Sequence, residues 1–129
     1  MVALGALTFA VLLRIPFVRV RAVQQGALTA DDFKLGESAR VSGDVSIPNR
    51  NYMNLLELPT LFYAACIGLY VLGRVENADL MIAWGYVGLR TLHSLVHLTY
   101  NNVLHRLAVF ALSNVVLSVL WLRLFFALG

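Results

Sequence analysis

Hydrophobic positions fill four long stretches of the chain, and polar positions collect between them. The stretches cover residues 1–21, 47–72, 79–100 and 104–128. A helix needs about 20 mostly apolar residues to cross the roughly 30 Å hydrocarbon core of a bilayer, and each stretch has that length. The pattern predicts four transmembrane helices that use nearly the whole chain. The links near residues 73–77 and 101–102 are short, which makes successive helices antiparallel. One long polar connection, residues 22–46, lies between the first two stretches and holds Gly26, Asp31, Asp32, Lys34, Gly36, Arg40 and Gly43. The expected architecture is an all-α integral membrane domain, a single four-helix bundle. The first stretch reads as a span rather than a secretion signal. No basic residue precedes its apolar run, and Arg14 and Pro16 follow in place of a small-residue cleavage site.

Composition narrows the function classes. The 129 residues are 60% apolar and 13% charged, with a mean hydropathy of +0.76. Soluble domains are about 45–50% apolar and about 25% charged. Too little charge remains to cover a soluble globule of 14.3 kDa, because small proteins have the most surface for their volume. That argues against a soluble enzyme and against a disordered chain. The net charge of +3 comes without a basic stripe, so nucleic acid is not an expected partner. A single cysteine, Cys66, excludes a disulfide scaffold and a cysteine-based zinc site. Arg19, Arg21, Lys34, Arg40, Arg50 and Arg106 fall on the side of the long connection, and only Arg74 and Arg123 on the other. The positive-inside rule then puts the long loop in the cytoplasm and both termini outside.

Ionisable residues within the spans carry the most information, since a charge at the bilayer centre costs about 2.5–3.5 kcal/mol or more. In the second span Arg50, Asn54 and Glu57 lie within about 60° of one another on one helix face. In the third, Arg90, His93, Ser94, His97 and Asn101 occupy a face about 100° wide. Each stripe needs a partner, either the other stripe or a shared polar ligand. A buried Arg–Glu pair also glues helices with no ligand at all, so Glu57 with Arg50 or Arg90 reads equally well as structural. The full set does not balance. Arg14, Arg19, Arg50, Arg90 and Arg106 outnumber Glu57, the one carboxylate placed inside a span rather than, like Asp79, at its first residue. Excess guanidinium charge requires an anion, and arginine binds carboxylates bidentately. A ligand with carboxylates, entering from the cytoplasmic side, meets that need.

His93 and His97 have the i, i+4 spacing that binds zinc or haem. No third ligand is evident and Arg90 would repel a cation, so no metal is expected. A haem or quinone protein built on the two histidines is one rival reading. A non-catalytic membrane protein, with structural or anion-binding polar stripes, is the other. His105 belongs to a turn, and Tyr63, Tyr86, Trp84 and Trp121 read as packing or interface aromatics. Cys66, among apolar neighbours, is expected to be inert. Pro59 is placed to kink the second helix, and Gly85 and Gly88 to let a neighbour approach the third.

Taken together, these motifs resemble one family. Arg50-x-x-x-Asn54-x-x-Glu57, followed by Pro59, is similar to the second helix of the membrane-associated proteins in eicosanoid and glutathione metabolism (MAPEG). Arg90-x-x-His93-x-x-x-His97, with Arg106 sixteen residues after Arg90, resembles the same family. Its prostaglandin E synthase branch has a tyrosine where His97 stands. Val18-Arg19-Val20-Arg21 resembles the basic pair at the end of the family's first helix. The resemblance implies a homotrimer of four-helix subunits, with glutathione as co-substrate bound between subunits and a lipophilic substrate drawn from the bilayer. It implies a transferase or peroxidase in which the glutathione thiolate attacks a lipophilic electrophile. By position, Arg106 would be the catalytic residue that favours the thiolate. Arg50, Asn54, Glu57, Arg90 and His93 would grip the peptide, and His97 would stand where an aromatic hydroxyl often sits. Arg19 would reach a neighbouring subunit's ligand, and Asp32 matches a loop aspartate discussed for proton transfer. Pro59 follows Glu57 sooner than in eukaryotic relatives, and the turn before Arg106 lacks their proline. The chain resembles a short bacterial-type member, which implies a bacterial inner membrane.

Overall fold

The computed structural model describes residues 1–129 and contains helices and no strands. Helix α1 spans Val2–Gln24, α2 Gly43–Leu56, α3 Leu58–Val71, α4 Asn77–Leu98 and α5 Val103–Leu128. Only Glu57 separates α2 from α3, so the two are halves of one pass and the chain is a four-helix bundle. Val2–Gln24, Gly43–Val71 and Val103–Leu128 are long and apolar enough to cross a membrane. α4 has 22 residues but is diluted by Asp79, Arg90, His93, Ser94 and His97. The bundle buries all five of those side chains. α4 packs most extensively against α5, and α1 against α2.

The break at Glu57 has a local cause. Pro59 lacks an N–H, and in a continuous helix its ring would press on the carbonyl of Leu55. Proline also disfavours helical backbone at the residue before it. The chain turns at Glu57, with φ −76° and ψ −94°. α2 closes as the Glu57 N–H donates to the Met53 carbonyl at 3.1 Å. The Thr60 hydroxyl then donates to the Glu57 carbonyl at 2.5 Å. The kink expected of Pro59 is therefore a full interruption, placed two residues ahead of the proline.

The α4–α5 turn rests on two asparagines. Asn101 adopts a left-handed φ of 45°, a region that Asn enters more readily than most residues. The Asn102 side chain caps α5, accepting from the N–H groups of Leu104 and His105 at 3.0 and 3.1 Å.

One apolar core runs from Leu4, Leu69 and Leu124 towards Val11 and Leu55. Within it the Phe62 and Tyr86 rings stack 4.7 Å apart. In lipid no water drives such contacts together, so they hold by close packing. The closest approach is at Gly68, where a Cβ would meet the Leu124 side chain at 3.0 Å. Gly85 and Gly88, expected to serve this purpose, face open space in the chain. Only 27 of 129 residues are buried. Phe9, Leu13, Phe17, Trp84, Leu104 and Phe126 stand exposed, an apolar exterior that suits lipid rather than water.

The long connection is shorter than its composition predicts, because α1 continues to Gln24 and α2 begins at Gly43. It contains a 3-10 turn at Ala30–Phe33. A small core of Ala22, Leu28 and Val45, with Val18, Phe33 and Val41 against it, ties it to the helix ends. At the opposite end of the bundle Arg123 clamps α5 to the start of α4. Its Nε donates to Asp79 at 2.8 Å and its Nη2 to Glu76 at 2.5 Å.

Candidate functional site

The stripe on α4 is buried as its spacing predicts, and it is poorly satisfied. Arg90 is fully buried. One Nη donates to the Asn54 backbone carbonyl, joining α4 to α2. Its Nε and other Nη have no partner, and its guanidinium lies 5.5 Å from the centre of the Phe110 ring. His93 places Nδ1 3.2 Å from the Arg106 carbonyl and leaves Nε2 unbonded. His97 is buried with neither ring nitrogen bonded. The two imidazoles meet edge to face, 5.9 Å apart, and no third His, Cys, Asp or Glu side chain joins them. Ser94 donates to the Asn51 Oδ1 at 3.2 Å, while the Asn51 amide nitrogen is buried without a partner. Most of these orphaned atoms are donors. Buried donors without acceptors are costly, about 1–3 kcal/mol each and more when charged.

Beside this stripe lies a pocket of about 230 Å³ lined by Asn54, His93, Val103, Arg106, Leu107 and Phe110. The Asn101–Asn102 turn positions Arg106 here, on the first turn of α5. Its Nη1 donates to the Asn101 Oδ1 at 2.8 Å, so the strained turn residue also steers the guanidinium. Arg50 and Arg106 both lie within electrostatic range of His97. Glu57, exposed at the α2–α3 break, acts on Arg90 in the same way. The structure thus brings Arg50, Asn54, Glu57, Arg90, His93, His97 and Arg106 to one region between α2, α4 and α5.

Asp32 stands apart from that region, and Arg19 meets only its edge, joined to Arg50 through Glu37 and Ser46. Arg19 pairs with Glu37 at 3.0 Å and lies over the Phe33 ring at 4.8 Å, all within its own chain. Asp32 is a hub of the connection. It accepts from the Thr29 N–H and hydroxyl at 2.8 and 2.9 Å and from the Ser38 hydroxyl at 2.7 Å, with Arg40 3.8 Å away. The backbone bond from Thr29, the hydroxyls of Ser38 and Thr29, and the Arg40 charge stabilise the carboxylate. Together they push its pKa down from 3.8 to about 2. A carboxyl held that low stays ionised near neutral pH, anchored within the connection.

A family model described as the MAPEG family matches residues 1–126. The chain belongs to the MAPEG family. No curated protein and no solved structure matches it. The family includes glutathione-dependent transferases and peroxidases as well as non-catalytic members.

Three parts of this MAPEG chain's polar architecture escape sequence reading. Asn51 is one helical step round from Asn54, and polar residues on a helix near a loop carry no signal of their own. Ser46 and Glu37 meet through the fold of the connection, where no periodicity applies. Phe110 looks like any lipid-facing aromatic until it is seen beneath Arg90. A larger cavity, about 370 Å³, lies far from this chemistry. It is almost wholly apolar and is lined by residues such as Phe62, Cys66, Trp84 and Leu120.

Proposed function

We propose that this chain is a glutathione-dependent membrane transferase or peroxidase, assembled as a homotrimer with sites between subunits. The observation that supports the reading best is the set of buried, unanswered polar atoms on Asn51, Arg90, His93 and His97, donors for the larger part, next to the Arg106 pocket. Such a set suits a ligand rich in acceptors. Glutathione brings two carboxylates, an ammonium and a thiol. Arg50, Asn54 and Arg90 supply charge and donors for the carboxylates, Glu57 supplies the counter-charge for the ammonium, and the free Nε2 of His93 offers the peptide an acceptor. His97 adds a donor where a hydroxyl would otherwise stand.

Arg106 is the group assigned to the thiol. A free thiol has a pKa near 8.5 and is only a few per cent thiolate at pH 7. A guanidinium about 4–6 Å away favours the charged form by roughly 1–3 pKa units. Arginine does this as a fixed charge, without a proton shuttle. The sulfur then forms its bond to an electrophile dissolved in the lipid, and the electrophile's own weak bond breaks. The apolar exterior supplies that electrophile, and the polar end of the bundle admits the tripeptide.

Two further features agree with this arrangement. Arg14 is exposed in the middle of α1 with no partner in its own chain, a position that a neighbouring subunit or ligand relieves. Arg74 and Arg123 are the two basic residues at the far end, against six at the loop end, a bias that favours a cytoplasmic loop. The test is conjugation of glutathione to a lipophilic aryl halide by the purified protein. Arg106→Ala is expected to lower the rate at least tenfold while the oligomer stays intact. An equal rate in the variant contradicts the assignment, and binding without turnover in the wild type points to a non-catalytic member.

A further inference from the structure

Arg50, assigned to ligand carboxylates, and Arg19, assigned to a neighbouring subunit's ligand, are already joined by one carboxylate of their own chain. Glu37, from the connection between α1 and α2, accepts from the Arg19 Nη2 through one oxygen at 3.0 Å. Its other oxygen accepts from the Ser46 hydroxyl at 2.6 Å. The Ser46 oxygen in turn accepts from the Arg50 Nε at 3.1 Å. One acidic side chain therefore ties α1 to α2 through the two guanidinium-bearing residues at the loop end of the bundle.

The tie is incomplete in an informative way. Arg19 uses only a terminal nitrogen, and its Nε is buried with no partner. A carboxylate that bonded Nε and Nη2 together would form the stronger bidentate pair. Arg50 reaches Glu37 only through the Ser46 hydroxyl, so its terminal nitrogens remain free. Asp32, Thr29 and Ser38 meanwhile hold the connection's own turn together without help from Glu37. Leu28, Phe33 and Val41 also share a small core with Val18 and Ala22 of α1, so without the Arg19–Glu37 pair the segment loosens rather than parts.

We propose that Glu37 is a built-in placeholder for a ligand carboxylate. In the free protein it holds Arg19 and Arg50 in position. When a carboxylate-bearing ligand arrives it gives up Arg19, and residues 25–42 loosen from α1. This inference rests on the glutathione reading of the site and adds a gate to it. Glu37 is a positioning residue here, acting through the arginines.

The experiment is a glutathione titration of the full-length protein in detergent, wild type beside Glu37→Gln, with hydrogen exchange followed across residues 25–42. Glutamine keeps the size and removes the charge. The variant is expected to bind glutathione about two- to fivefold more tightly, the scale of one partly buried ion pair no longer competing. That gain is expected to shrink at high salt. In the wild type, exchange in residues 25–42 is expected to rise on saturation. In the variant it is expected to start high and stay there. Unchanged or weaker binding by Glu37→Gln, or a wild-type segment that becomes more protected with ligand, overturns the placeholder and leaves the site reading standing. Failure of both proteins to bind glutathione overturns the site reading and this inference with it.

Discussion

Arg90 uses one of its five donors, and His97 uses none of its ring nitrogens. Such residues were visible in the sequence, because a polar side chain at bilayer depth is conspicuous against its neighbours. Their spacing of three and four placed them on one face. What meets the polar residues was not visible, since Phe110 reaches Arg90, Asn51 reaches Ser94 and Glu37 reaches Arg19 across helices and loops. Glu57 illustrates the limit. The pattern marks it as an in-span carboxylate, and the structure leaves it exposed at a helix break beside Arg90. Glu57→Ala is expected to raise the glutathione dissociation constant severalfold while changing the turnover rate less than twofold. Calorimetry that finds equal affinity contradicts its role as the ammonium partner. Asp32 gives a pH prediction. Its folded pKa lies below its ordinary value, so its contribution is present above about pH 4 and is lost as pH falls towards 2. Hydrogen exchange in residues 29–38 is expected to be flat from pH 7 to 5, after correction for intrinsic rates, and to rise below pH 4. Asp32→Asn is expected to remove that rise.

Helix existence followed from hydropathy, and helix interruption did not. A proline within an apolar run predicts a disturbance, but whether it becomes a bend or a break depends on what packs around it. Here the break falls at Glu57, whose carbonyl accepts from the Thr60 hydroxyl at the start of α3. The same limit applies to the glycines. Gly85 and Gly88 looked like contact points, yet the close approach is at Gly68, because Leu124 happens to face it. The α4–α5 turn makes the sharpest element-scale prediction. Asn102→Ala removes two capping bonds and is expected to cost about 0.5–2 kcal/mol. A lower melting temperature in detergent, together with a lower conjugation rate as Arg106 loses its fixed approach, is the expected pair of results. The Arg123 clamp tests the separation of the two ends. Arg123→Gln strips the buried Asp79 of its counter-charge and is expected to lower the melting temperature. Glutathione affinity is expected to stay at the wild-type value, since the clamp lies at the far end of the bundle.

The molecule as a whole is a bundle with its charges sorted by place. Its outside is apolar, its far end carries the Arg123 clamp on Asp79 and Glu76, and its loop end gathers arginines with too few carboxylates to answer them. Composition alone predicted the lipid environment, because 13% charged residues cannot coat this chain in water. It did not show that the long connection folds back on α1 and α2, since its polar residues form bonds no periodic pattern encodes. Native mass spectrometry is expected to find a particle three times the 14.3 kDa chain. The central claim is that the arginine-rich end receives glutathione. Thermal unfolding of the purified protein with and without glutathione tests it most directly. A ligand at about 100 times its dissociation constant adds about 2.7 kcal/mol, so the account predicts a clear rise in melting temperature that Arg90→Ala diminishes. A melting curve that millimolar glutathione leaves unmoved would contradict it.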